Sequence, residues 1–87
     1  MKINKKMILR EVAGEYVLVP VGTSVISTNG LFMLTETAAY IWKILPEVSD
    51  EAEIITKITE EYDVSEENAK KDVCDFLEYL RSFEIID

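Results

Sequence analysis

The sequence predicts an α+β fold, with about three antiparallel strands followed by three short helices. Three observations carry that expectation. Apolar residues recur with a period near two up to Leu34 and near 3.6 from Thr35 onward. The glycines, Gly14, Gly22 and Gly30, all fall in the first part and in turn contexts. Residues suited to capping precede the helical stripes, and Pro46 interrupts the chain after the first of them.

Ile8-Leu9-Arg10-Glu11-Val12 is the first strand candidate, closed by Ala13-Gly14, a junction that suggests a tight hairpin because glycine supplies positive φ. Glu15-Tyr16-Val17-Leu18-Val19 follows, rich in aromatic and β-branched residues, and Pro20 ends it or sits at an edge. Gly22-Thr23-Ser24, Val25-Ile26 and Thr28-Asn29-Gly30 come next, and Asn-Gly is the strongest short hairpin signal. Leu31-Phe32-Met33-Leu34 is apolar on both faces, so it is either covered on both sides or awaits a partner.

Thr35 is placed to cap a helix over Glu36–Leu45, with Glu36 favourable against the helix dipole. Ala38, Ile41, Trp42 and Leu45 make its i, i+3, i+4, i+7 stripe. Ser49 or Asp50 caps the second helix, and Asp50 with Glu53 has capping-box spacing. Its buried stripe is Ile54, Ile55, Ile58 and Tyr62. The third helix starts at Ser65, carries Glu66 and Glu67 in its first turn, and has Ala69, Val73, Phe76, Leu77, Leu80 and Phe83 as its apolar stripe. Asp63-Val64 between the second and third helices resembles the link of a helix-turn-helix unit. Ile85-Ile86 closes the chain.

With 87 residues, one domain over residues 1–87 is expected. Hydrophobic residues at 48% and charged residues at 30% argue for a packed globule and against a disordered tail. No apolar run approaches the roughly 18 residues of a membrane span. The start carries Lys2, Lys5, Lys6 and Arg10 without an acid, and reads as a solvated, frayed end of the mature protein, not as a signal peptide. Since the net charge is −8, the rest of the chain is more acidic still, a field that repels nucleic acid and anionic membrane. A single cysteine, Cys74, excludes an internal disulfide and fits a reducing cytoplasm.

Catalytic chemistry finds little to work with. The chain has no histidine, and so lacks the commonest general base and metal ligand. Cys74 has no cysteine or histidine partner for zinc, and Asp72 and Asp75 beside it in sequence disfavour a thiolate. It reads as a buried or half-buried structural thiol. Glu60-Glu61 and Glu66-Glu67 lie on polar faces at helix ends, where solvated charge is the default. Asp63–Glu67 has too few oxygen ligands for an EF-hand, and no glycine-rich phosphate loop exists. The expectation is a binding protein that is not an enzyme and needs no cofactor or metal.

The ordered set Glu15-Tyr16-Val17-Leu18-Val19-Pro20-Val21-Gly22, Asn29 to Trp42, Glu60-Glu61-Tyr62-Asp63-Val64 and Asp72-Val73-Cys74-Asp75-Phe76-Leu77 resembles the PqqD-like family, also called the RiPP recognition element. The resemblance runs from about Leu9 to Ile86, with the last segment matching a D-V-x-x-F-L pattern. Thr35 stands where the family often has Asn, Ala38 where Gly is frequent, and Glu84 where Gly commonly precedes the terminal aliphatic pair. That last change bears on how the C-terminus turns back. The resemblance implies a winged helix-turn-helix-like fold that binds the leader of a ribosomally made precursor peptide and presents it to a modifying enzyme, often a radical S-adenosylmethionine enzyme. The leader then adds as a strand beside the third strand and packs against the third helix.

The residues support such a mode in their own right, because a strand edge offers unpaired N–H and C=O groups. Gly30, Leu31, Phe32, Met33 and Leu34 form the candidate edge. On the third helix, Lys70, Cys74, Leu77 and Arg81 follow i, i+4, i+7, i+11 spacing, a stripe whose cations would receive an acidic leader residue. The plainer reading makes Lys70 and Arg81 surface cations and Leu77 core. Two rivals remain at this level. A winged-helix DNA regulator is disfavoured by Glu66, Glu67, Asp72, Asp75 and Glu78 on the third helix against Lys70, Lys71 and Arg81. A homodimeric adaptor subunit would pair the Leu31–Leu34 edge with its own copy.

Overall fold

The computed structural model describes residues 1–20 and 32–87. Strand β1 (Met7–Val12) pairs with β2 (Glu15–Pro20), and β2 with β3 (Phe32–Leu34), in an antiparallel sheet of order β1-β2-β3. Helices α1 (Glu36–Ile44), α2 (Glu51–Glu61) and α3 (Glu66–Ser82) follow, with a 3-10 turn, Leu45–Glu47, after α1. The plan expected from the sequence, sheet first and helices after, is the one observed. The Gly22–Ser24 and Thr28–Gly30 turn signals, Val25-Ile26 and Leu31 lie outside the described residues.

Val12 pairs with Glu15, which leaves Ala13 and Gly14 as the two loop residues of the β1–β2 hairpin. Their φ angles are 53° and 81°. Positive φ at both central positions is type I′ geometry, whose twist matches that of the flanking strands. The register row Leu9, Leu18, Phe32 faces the helices, and Leu18 and Phe32 are buried there. The alternate row Arg10, Val17, Met33 faces outward. The apolar run Phe32–Leu34 thus splits its faces: Phe32 joins the core, while Met33 stays 57% exposed.

Each helix begins at the side chain expected to cap it. The Ala38 amide donates to Thr35 Oγ1 at 3.1 Å, Glu53 to Asp50 Oδ1 at 3.0 Å, and Asn68 to Ser65 Oγ at 3.1 Å. Glu53 also accepts from the Ser49 amide at 3.0 Å, one residue further back than in the standard capping box. Around Pro46 the chain tightens into the 3-10 turn, because proline has no N–H for the next helical bond.

One core joins all elements: Leu18 and Phe32 from the sheet, Ile41, Trp42 and Leu45, Ile54 and Ile58, and Ala69, Val73, Phe76, Leu77 and Leu80. Full burial of each large aliphatic contributes about 1.5–3 kcal/mol relative to exposure. Three expected stripe members, Ile55, Tyr62 and Phe83, sit at its margin. Tyr62 is half-buried, edge to face with Tyr40 at a centroid distance of 5.5 Å. Phe83 is 43% exposed, because α3 ends before it.

The ends of the described chain hold one another, contrary to the frayed N-terminus expected from its charge. Ile3 bridges Ile86, the Asn4 amide donates to the Ile85 carbonyl at 2.7 Å, and Lys5 Nζ donates to the Phe83 carbonyl at 2.8 Å. The Met1 amino group donates to the Leu45 carbonyl at 2.9 Å and to that of Val48. Ile85 and Ile86 are buried beneath this strap. They reach it through a Schellman ending of α3: the Ile85 amide donates to the Leu80 carbonyl at 3.0 Å and the Glu84 amide to that of Arg81 at 2.9 Å. Glu84, at φ 60°, takes the left-handed position that such endings usually give to glycine. The turn-back therefore forms despite the missing glycine.

Candidate functional site

Among the described residues, strand β3 pairs with β2 on one side only, and its other side is there a sheet edge. Beside that edge opens a groove of about 500 Å³, lined by Met33, Leu34, Thr35, Thr37, Ala38 and Ile41 on one side and by Asp72, Asp75, Phe76 and Tyr79 of α3 on the other. Its floor is apolar: Ala38, Ile41 and Phe76 belong to the buried set, and Leu34 packs against it.

The direction of β3 against α3 follows from an aromatic cluster. The Phe32 ring meets Phe83 at 4.9 Å and Tyr79 at 6.0 Å, and Tyr79 meets Phe83 at 5.2 Å, all edge to face. Phe32 is thereby held at the C-terminal turns of α3. From there β3 continues to Leu34 and Thr35, while the groove's α3 residues extend back from Tyr79 to Asp72. Strand and helix run in opposite directions along the groove, whose end near Thr35 carries Asp72, with Asp75 about a turn further along.

Of the residues expected at the site, Met33 and Leu34 line the groove, and Phe32 anchors its far end from within the core. Gly30 and Leu31 lie outside the described residues. The α3 residues Lys70, Cys74, Leu77 and Arg81 are not among its lining. Leu77 is 0% exposed and serves the core. Cys74 is exposed, not the buried or half-buried thiol expected. Arg81 is engaged away from the groove, donating from Nε to the Asp87 carbonyl at 2.9 Å and lying 3.9 Å from Glu51 Oε1. Lys70 is exposed on the same flank.

Helical phase explains the displacement. Each residue advances about 100° around an α-helix. The groove side of α3 is Asp72, Asp75, Phe76 and Tyr79, and Asp72, Phe76 and Tyr79 are Lys70, Cys74 and Leu77 shifted by two residues, or about 200°. Both stripes flank the same core face, from opposite sides. Sequence spacing identifies the core face and leaves the choice of flank open. The lining residues Asp72, Asp75 and Tyr79 were missed for this reason. The exposed aromatic Tyr79, among acidic neighbours on a surface helix, was the available signal.

Among the described residues, neither Asp72 nor Asp75 has an ion-pair partner, and no cluster of histidine, cysteine and carboxylate groups is arranged to hold a metal ion. None of the described helices is long and apolar enough to cross a membrane. Away from the groove, burial and then the nearby Glu36 and Glu61 carboxylates raise the Tyr62 phenol.

The chain is similar in fold to a solved structure described as TbiB1 in complex with the TbiA(beta) leader peptide, with a TM-score of 0.74 and 29% identity, covering 100% of this chain and 95% of that one. Among curated proteins none matches. The family model described as coenzyme PQQ synthesis protein D (PqqD) matches residues 15–86, from the first residue of β2 through the Ile86 bridge. Because that match spans β2, β3 and all three helices, this chain belongs to the PqqD family.

Proposed function

We propose that this protein is a RiPP recognition element, which captures the leader segment of a ribosomally made precursor peptide as an added strand on β3. The observation that carries the reading is the edge of β3, unpaired among the described residues, beside an apolar groove walled by α3. An extended peptide there satisfies its main chain on β3, while alternate side chains enter the groove, so backbone bonding supplies affinity and the groove supplies selectivity. Family membership and the leader-bound TbiB1 relative support it.

On this reading the chain is a single recognition domain over residues 1–87 and acts as a peptide chaperone, not as an enzyme. It hands the tethered precursor to a modifying enzyme, of which a radical S-adenosylmethionine enzyme is the type we favour, and works in the cytoplasm. Raising the local precursor concentration is the whole contribution asked of it. DNA reading has no support in the acidic groove side of α3.

The test is an amide-resolved NMR titration with the leader segment encoded by a short reading frame beside this gene. Strand addition moves the resonances of Phe32–Leu34 together with Asp72–Tyr79. Shifts confined to Lys2–Lys6, or a stable dimer by light scattering that ignores peptide, would instead favour a homodimeric adaptor.

A further inference from the structure

The groove has a charge of its own. Its α3 wall carries two carboxylates, Asp72 at one end and Asp75 about a turn further along, beside the apolar floor of Leu34, Ala38, Ile41 and Phe76. Both are exposed, and neither has an ion-pair partner among the described residues. The cations of α3 do not offset them: Arg81 is engaged with Asp87 and Glu51, and Lys70 and Lys71 do not line the groove. Charge complementarity therefore favours a cationic side chain in the occupant at this end.

Its position follows from the geometry. Antiparallel pairing is the more stable per residue. A segment added antiparallel to β3 runs in the direction of α3, from Asp72 toward Tyr79. Asp72 lies four residues before Phe76, a rise of about 6 Å along the helix. Two residues of strand span about 7 Å and return a side chain to the same face. A side chain anchored against Phe76 thus places the residue two positions before it beside Asp72, with Asp75 about 4.5 Å further along the helix and within reach of a long side chain, and the residue two positions after it toward the Tyr79 ring.

We infer that the groove selects peptides with Lys or Arg two residues N-terminal to the aliphatic anchor, and an apolar residue two positions after that anchor. The inference rests on strand capture at β3. It reverses the complementarity expected from Lys70 and Arg81, since the side chains that meet the peptide are acids.

The experiment pans a displayed library of random dodecapeptides against the full chain, against Asp72→Asn/Asp75→Asn and against Asp72→Lys/Asp75→Lys. NMR then maps where the selected peptides bind. Both positions are solvent-exposed, so the variants keep the fold, which circular dichroism checks directly. The expected result is enrichment of Lys or Arg at the −2 position, lost in the Asn variant and replaced by Asp or Glu in the Lys variant. Selected peptides should lose about two- to fivefold in affinity on the Asn variant, the scale of an exposed ion pair. Peptides that bind at β3 and the groove with no charge preference, or with the same preference on all three proteins, overturn the charge inference and leave strand capture standing. Selected peptides that bind elsewhere overturn both.

Discussion

Phe32, the first residue of β3, meets Phe83, the residue capping α3, edge to face with ring centroids 4.9 Å apart. This contact ties the edge strand to the end of the helix that walls the groove. Because Phe83 is 43% exposed, Phe83→Ala should cost about 1–2 kcal/mol, below the range for a fully buried ring. Urea denaturation measures the loss, and amide exchange at Phe32–Leu34 should quicken. An unchanged midpoint with unchanged exchange would show that the aromatic cluster holds nothing in place.

Glu84 occupies the left-handed C′ position of the Schellman ending at φ 60°. An L side chain there costs about 1 kcal/mol that glycine avoids, so Glu84→Gly should stabilise the protein by roughly that amount. Glu84→Ala keeps a Cβ at the same φ and should gain little. Urea midpoints of the two variants decide it, and an equal gain in both would assign the effect to the lost charge.

Cys74 and Tyr79 lie on opposite flanks of α3's core face, with only Tyr79 in the groove. Alkylating Cys74 should leave peptide affinity within about twofold, whereas Tyr79→Lys should weaken it about tenfold, the loss expected of an interface aromatic. Fluorescence anisotropy with a peptide selected on the full chain makes the comparison. The reverse order would return the binding face to the Lys70–Arg81 stripe.

The raised Tyr62 phenol makes stability fall at alkaline pH. Folded protein holds this proton more tightly than unfolded chain, first because of burial and then because of Glu36 and Glu61. The contribution is present in full below the ordinary value of 10.0 and is lost as pH climbs from there through the higher folded value. Tyr62→Phe should flatten the stability profile in that window. An identical alkaline slope in the variant would place the titration elsewhere.

Much of the fold was legible because its signals are local. The caps at Thr35, Asp50 and Ser65, the Ala13-Gly14 hairpin and the core stripe of α3 each depend on residues within a turn or two of one another. The edge at Phe32–Leu34 could be suspected from composition alone, since a short apolar run needs cover.

By itself, then, the sequence determined the order of strands and helices, the helix starts and the face of α3 that enters the core. Tertiary structure alone decided which flank of that face walls the groove, because a helix stripe is flanked on two sides and only the placement of β3, through Phe32 against Tyr79 and Phe83, chooses between them. It likewise decided that Asp72 and Asp75 meet the groove while Arg81 turns to Glu51 and Asp87. The strap of Ile3 on Ile86 belongs to the same class. Such contacts join residues distant in sequence, and no local periodicity records them.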